Sequence, residues 1–167
     1  MIDQEQTETL SHVDADGRIR MVDIADKQGN LRTALAAGRV ILGDEAFALV
    51  RENRIKKGDV LTVAHVAGIQ GAKYTHHLIP LCHNIYLQNV EVTLELNEDL
   101  KSVEIQAFVK THGQTGVEME ALTAVSTAAL TVYDMCKSVT KALVIADVRL
   151  LAKTGGQSGD FRRTREN

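Results

Sequence analysis

The sequence has no tryptophan, one proline, two cysteines and only 4% aromatic residues. A core here must therefore be built from Val, Leu, Ile and Ala, which the 44% apolar content of a 167-residue chain supplies for one domain. Two cysteines, Cys82 and Cys136, 54 residues apart, match no disulfide framework and suit a reducing compartment. No apolar run reaches the length of a membrane span, and the acidic start MIDQEQTETL resembles neither a secretory signal nor a transit peptide. The expectation is a cytoplasmic protein with no membrane partner. There is no basic excess either. A net charge of −3 and pI ≈ 6.1 argue against a nucleic-acid partner for the molecule as a whole, though not against a local basic pocket.

What is present reads as one α+β domain over 1–167, with a polar lead-in over 1–17 and a loop-like charged tail over 155–167. Arg18–Ile24 is a candidate short strand and Leu31–Leu42 a longer one. A short helix follows from Gly43-Asp44 through Phe47, Leu49 and Val50. Asp59 is placed to cap a helix carrying Val60, Val63, Ala64 and Ala67 at helical spacing. The lone Pro80 breaks the chain. Then Val90, Val92, Leu94 and Leu96 alternate with polar residues, as do Val103, Ile105, Ala107 and Val109, with Asn97-Glu98-Asp99 between them as a hairpin turn. Leu143–Leu151 is the last expected strand. The sum is a mainly antiparallel sheet of about four strands with helices packed on one face.

Gly113–Lys137 dominates the pattern. Val117, Leu122, Val125, Ala129, Val132 and Cys136 recur at helical steps, no proline interrupts them, and Thr115 or Gly116 is the expected N-cap. Charge is confined to the two ends: Glu118 and Glu120 at the start, Asp134 and Lys137 at the finish. Asp134 and Lys137 share a face and read either as an end-of-helix ion pair or as part of a site. Glu120 and Asp134 point nearly the same way but lie ~21 Å apart along the axis. Both can serve one compact site only if they come from different subunits.

His76, His77, Cys82 and His83 fall within eight residues, between Thr75 and Asn84. Zinc ligation, a pocket lining and a packed loop all fit that spacing, which matches no closed structural zinc pattern. Basic residues stand beside glycines at Arg32, Lys57, Lys73 and Lys153. Each alone is an ordinary solvated turn, but four in an acidic chain suggest an anionic, phosphate-bearing ligand.

Taken together, KKGDV (56–60), AGIQGAK (67–73), LIPLCHN (78–84), TGVEMEALTAVS (115–126), YDMCK (133–137) and VRLLAKTGGQSGD (148–160) resemble the cyclic pyranopterin monophosphate synthase (MoaC) family of molybdenum cofactor biosynthesis. The likeness runs in order over roughly residues 18 to 161. It implies a ferredoxin-like fold and a homohexamer, a trimer of dimers with active sites between subunits. The implied enzyme is a lyase taking (8S)-3′,8-cyclo-7,8-dihydroguanosine 5′-triphosphate to cyclic pyranopterin monophosphate and diphosphate. It implies no metal held by the protein and no required cofactor beyond Mg²⁺ travelling with the triphosphate. By motif, Asp134, Lys137 and Lys57 match the residues on which catalysis depends. Leu81, Cys82, His83, Glu118, Met119 and Glu120 match substrate-contacting segments, and Arg32, Lys73 and Lys153 match basic positions of a triphosphate pocket. Tyr74, His77 and Asn84 depart from the Arg, Asp and Pro common in bacterial members. The expected roles are Asp134 as base and Lys137 as its acid partner, with the lysine pKa depressed by neighbouring lysines. Lys57 would protonate a departing nitrogen, and His83 and Glu120 would orient substrate. Two rivals stand beside this reading: a non-catalytic nucleotide-sensing module, and a zinc hydrolase using His76, Cys82 and His83.

Overall fold

A computed structural model describes residues 17–164. In chain order the elements are β1 (Asn30–Ile41), α1 (Asp44–Arg51), α2 (Val60–Lys73), α3 (Thr75–Leu78), β2 (Asn89–Asn97), β3 (Ser102–Gly113), α4 (Glu118–Cys136), β4 (Val144–Thr154) and β5 (Phe161–Arg162). One five-stranded sheet has the order β2-β3-β1-β4-β5, with every neighbouring pair antiparallel. The α+β class and the long hairpin are as expected, while the strand count is one higher. β5 pairs Phe161 and Arg162 with Lys153 and Ala152, inside the stretch expected to be loop. Arg18–Ile24 is not a strand: only Ile19 makes a bridge, and the segment has no ladder to join. The expected lead-in, apart from Gly17, lies outside the described residues.

Strand alternation fixes the buried face. Ala34, Ala36 and Val40 of β1 and Val103, Ile105, Ala107 and Val109 of β3 are essentially inaccessible, and α4 packs on them. Small residues let the backbones approach: a Cβ at Gly38 would lie 2.8 Å from Val125 Cγ1. α2 lies antiparallel to α4. Gly68 faces the Ala124 carbonyl and Gly71 faces Thr127, where a Cβ would come within 2.4 Å of the hydroxyl oxygen. Gly71 is thus a helix-packing residue, not the phosphate-binding glycine that its place before Lys73 suggested.

Local signals explain the boundaries. The Asp59 carboxylate accepts from the Thr62 N–H at 3.0 Å, capping α2 as its position implied. Asn97 Oδ1 accepts from the N–H groups of Asp99 and Leu100, turning the chain from β2 into β3. α4 begins differently from expectation: its N-cap is Val117, with no side-chain cap, and neither Thr115 nor Gly116 takes that role.

Candidate functional site

The ends of α4 carry two separate groups of charged side chains. At its C-terminal end, Asp134 lies between two ammonium groups. Lys137 Nζ is 2.7 Å from one carboxylate oxygen and Lys57 Nζ 2.7 Å from the other. Lys57 also donates to the Asp134 carbonyl at 2.8 Å. Lys57 arrives from the turn before α2, where Gly58 has φ +106° and no room problem, a conformation that favours glycine. All three side chains are about half exposed, so this is an open surface in the single chain.

Hydrogen bonds from Lys137 and then Lys57 hold the Asp134 carboxyl down at about 2. Its hydrogen bond to the same carboxylate raises Lys137. The expectation of a depressed lysine is therefore overturned: an anion at 2.7 Å outweighs a more distant cation. In this geometry Asp134 is a fixed anion and Lys137 a fixed cation.

At the other end, a cavity of ≈ 290 Å³ is lined by Leu81, Cys82, His83, Glu118, Met119 and Glu120, the substrate-segment residues, with Val22, Ile24, Lys27 and Ile85. Pro80 builds its rim. It sits second in a turn in which the Cys82 N–H donates to the Ile79 carbonyl at 3.1 Å, presenting Leu81-Cys82-His83 together. His83 Nε2 lies 2.8 Å from the Val22 carbonyl oxygen and fastens the 21–28 segment to that rim. Glu120 is 4% exposed. Burial first, and the neighbouring Glu118 carboxylate after it, push its pKa to about 7, overcoming the lowering expected of a helix N-terminus. Burial, then Glu120, also raises the Cys82 thiol. Burial thus brings the Glu120 carboxyl close to neutrality, whereas the sequence pointed to Lys137 for a pKa near that range.

The basic positions divide. Lys153 Nζ is 3.7 Å from Glu118 and also donates to the Ser158 hydroxyl. Arg32 is buried and donates to the carbonyls of Gly113 (2.9 Å) and Gln114 (3.1 Å) while lining a second, larger cavity of ≈ 610 Å³ with Lys27, Gly156 and Gln157. The glycine matters: a Cβ on Gly156 would lie 2.5 Å from an Arg32 guanidinium nitrogen. Lys73 joins neither group; it is exposed at the C-terminal end of α2. Sequence reasoning missed Val22 and Ile24, because the 18–24 stretch was taken as a strand rather than as cavity wall, and Lys27, which follows that stretch and belongs to none of the motifs singled out.

His76 stacks on His77 with ring centroids 4.0 Å apart, His77 also meets Tyr74, and His83 faces Val22. Among the described residues no three His, Cys, Asp or Glu side chains gather as metal ligands, so the zinc-hydrolase donor set is not assembled. Nor is any described helix long and apolar enough to cross a membrane.

The profile of the MoaC family matches residues 21–156. A cyclic pyranopterin monophosphate synthase from Salinibacter ruber is 58% identical over 159 residues, 95% of this chain and 94% of that protein. The Clostridium acetobutylicum protein of the same name is 47% identical over 157 residues, 94% of this chain and 98% of its own. Molybdenum cofactor biosynthesis protein 1 from Homo sapiens is 51% identical over 160 residues, 96% of this chain but 25% of the human protein.

Proposed function

The chain belongs to the MoaC family, and from that premise we propose that it acts as a cyclic pyranopterin monophosphate synthase of molybdenum cofactor biosynthesis. Its substrate is (8S)-3′,8-cyclo-7,8-dihydroguanosine 5′-triphosphate, and its products are cyclic pyranopterin monophosphate and diphosphate. The reaction class is a phosphorus–oxygen lyase. A ribose hydroxyl oxygen bonds to the α-phosphorus, the bond from that phosphorus to the bridging oxygen breaks, and diphosphate leaves with the electron pair.

The observation that carries this reading is the division of the charged residues between the two ends of α4. Fourteen residues separate Glu120 from Asp134, ~21 Å of helix. A substrate of this size cannot touch both groups on one chain. The site is therefore read as composite, one protomer supplying the cavity of Cys82, His83 and Glu120 and a neighbour supplying Lys57, Asp134 and Lys137. A closed homohexamer, a trimer of dimers, repeats that contact. The order β2-β3-β1-β4 with one helical layer is that of a split β-α-β unit, which supports the ferredoxin-like assignment.

Within such a site the roles follow from charge. Asp134 stays ionised and fixes two ammonium groups in place, which then stabilise negative charge developing on nitrogen or oxygen. Glu120, close to half-protonated at neutrality, moves protons during ring rearrangement. Arg32 and Lys153 face the departing diphosphate, with Lys73 contributed from elsewhere in the assembly. Mg²⁺ enters as the triphosphate's counter-ion, with no resident cofactor, and the working compartment is the cytoplasm.

The test is incubation with the cyclic dihydroguanosine triphosphate while diphosphate and pterin are followed together. Stoichiometric appearance of both supports the synthase; diphosphate without pterin, or neither, refutes it. Mixing Glu120→Ala with Asp134→Ala protomers tests the composite site. Activity returns in mixed oligomers if the halves belong to different chains, and stays absent if each site lies within one.

A further inference from the structure

Gly116 stands immediately before Val117, the buried N-cap of α4, and lines the smaller cavity. Its φ is not positive, so the backbone there suits any residue. What excludes a side chain is space. A Cβ on Gly116 would overlap one Glu118 carboxylate oxygen and lie 2.7 Å from Glu118 Cδ, and its three nearest atoms all belong to that carboxyl group. Gly68 and Gly71 make room for a neighbouring element of the fold; Gly116 makes room for a side chain two residues further on.

The carboxylate placed this way has three neighbours that matter. It lies over the start of α4, whose first N–H groups have no side-chain cap, where negative charge suits the helix dipole. It is 3.7 Å from Lys153 Nζ, and the two side chains are only 30% and 16% exposed, so the pair ties the helix start to β4. It also stands beside Glu120, where its charge adds to burial in keeping that carboxyl protonated. The other ionisable groups lining the cavity, Lys27, Cys82 and His83, are carried by other segments.

We propose that Gly116 is a positioning residue of the synthase site: the space left by its missing side chain holds the Glu118 carboxylate, which in turn holds Lys153 at the cavity and a negative charge beside Glu120. This rests on the synthase reading. Gly116 touches no reacting atom in this scheme. Alanine there displaces the end of a flexible side chain, a change the fold itself tolerates.

The experiment is a double-variant cycle of Gly116→Ala and Glu118→Ala, read by diphosphate release and by thermal melts at one protein concentration. With Glu118 present, Gly116→Ala lowers kcat/KM about 10- to 100-fold, the effect of one charge-assisted contact. With alanine at 118 there is no carboxylate to displace, and Gly116→Ala changes kcat/KM less than about twofold. The pH–rate limb near 7 moves to lower pH in Gly116→Ala, which a purely structural role would not produce. The melting shift caused by Gly116→Ala is more negative by about 2–4 °C with Glu118 present than without it. Equal losses in both backgrounds, including failure to fold in both, mean that the backbone itself needs glycine, and overturn the proposal. An unchanged rate and limb in Gly116→Ala overturn it as well. Wild-type enzyme that releases no diphosphate overturns the synthase reading instead; the melting cycle, which uses no substrate, then decides whether Gly116 holds Glu118.

Discussion

Glu120→Gln isolates a single titration, because it keeps the side-chain shape and removes the charge. Glu120 titrates near 4.5 when unfolded and about 7 when folded. Between those values the unfolded chain has released its proton and the folded chain still holds it. The unfolded state then binds fewer protons, so stability falls as pH rises, and it levels off above about 7. At ~1.4 kcal/mol per pH unit of difference, the wild-type protein loses about 3 kcal/mol between roughly pH 4.5 and 7 through this residue alone. Glutamine has no such loss. Carboxylates such as Asp134 and Asp59, whose pKa values are lowered on folding, contribute the opposite slope at more acid pH, and do so in both proteins. They cancel when the two stability curves are subtracted. Urea unfolding at pH 5, 6, 7 and 8, at one salt and one protein concentration, should show a difference that grows by about 2.5 kcal/mol in favour of glutamine across that range, since part of the loss is already complete at pH 5. Turnover should fall in the same variant, since a group able to exchange protons has been lost. A difference curve that stays level within ~0.5 kcal/mol, below the usual effect of a desolvated carboxylate, would refute the claim that burial perturbs Glu120.

Asp134→Ala and Lys137→Ala should each abolish diphosphate release while gel filtration shows the wild-type oligomer; wild-type-like rates in either remove that residue from the site. With Asp134 held at about 2, no acidic limb assignable to it should appear in the pH–rate profile above pH 4, and a limb near 7 should vanish in Glu120→Gln. Gly71→Ala sets a helix-propensity gain of up to ~1 kcal/mol against a Cβ placed 2.4 Å from Thr127 Oγ1, whose overpacking costs roughly 1–3 kcal/mol, for a net loss of up to ~2 kcal/mol. Thermal melts should show the loss, and a Gly71→Ala/Thr127→Ala double variant should recover most of it. Cys82, raised by burial and Glu120, and Cys136, raised to about 11, should both react slowly with a thiol reagent at pH 7.5 in the native state. Fast labelling of either before unfolding would contradict those environments.

Features specified by near neighbours in the chain were legible in the sequence. The Asp59 cap, the Asn97 turn, the alternation of β2 and β3 and the Asp134–Lys137 pair each depend on residues within a few positions of one another. Features that depend on distant partners were not. Phe161–Arg162 is a strand only because β4 extends to Thr154 and offers it an edge. Arg18–Ile24 alternates well enough to be a strand but finds no edge, and is claimed instead by the His83 contact to Val22. Gly71 could not be distinguished from a phosphate-binding glycine until Thr127 was placed against it.

The same distinction explains why the Lys137 shift came out opposite in direction to the expected one. Counting nearby lysines suggested a depressed Lys137, but the sign of a shift is set by the closest charge, and that is Asp134 at 2.7 Å. Glu120, at helical spacing from the apolar stripe of α4, gave no sequence sign that burial would leave it poised near neutrality. The helix rise, by contrast, needs no tertiary information. Fourteen residues of unbroken α4 keep Glu120 and Asp134 ~21 Å apart whatever else the chain does. A proton-exchanging carboxyl at one end and a carboxylate locked between two lysines at the other can act on one substrate only across a boundary between chains. If the catalytic unit is an interface, as proposed, a monomeric variant should bind the heterocycle in its cavity yet fail to turn it over.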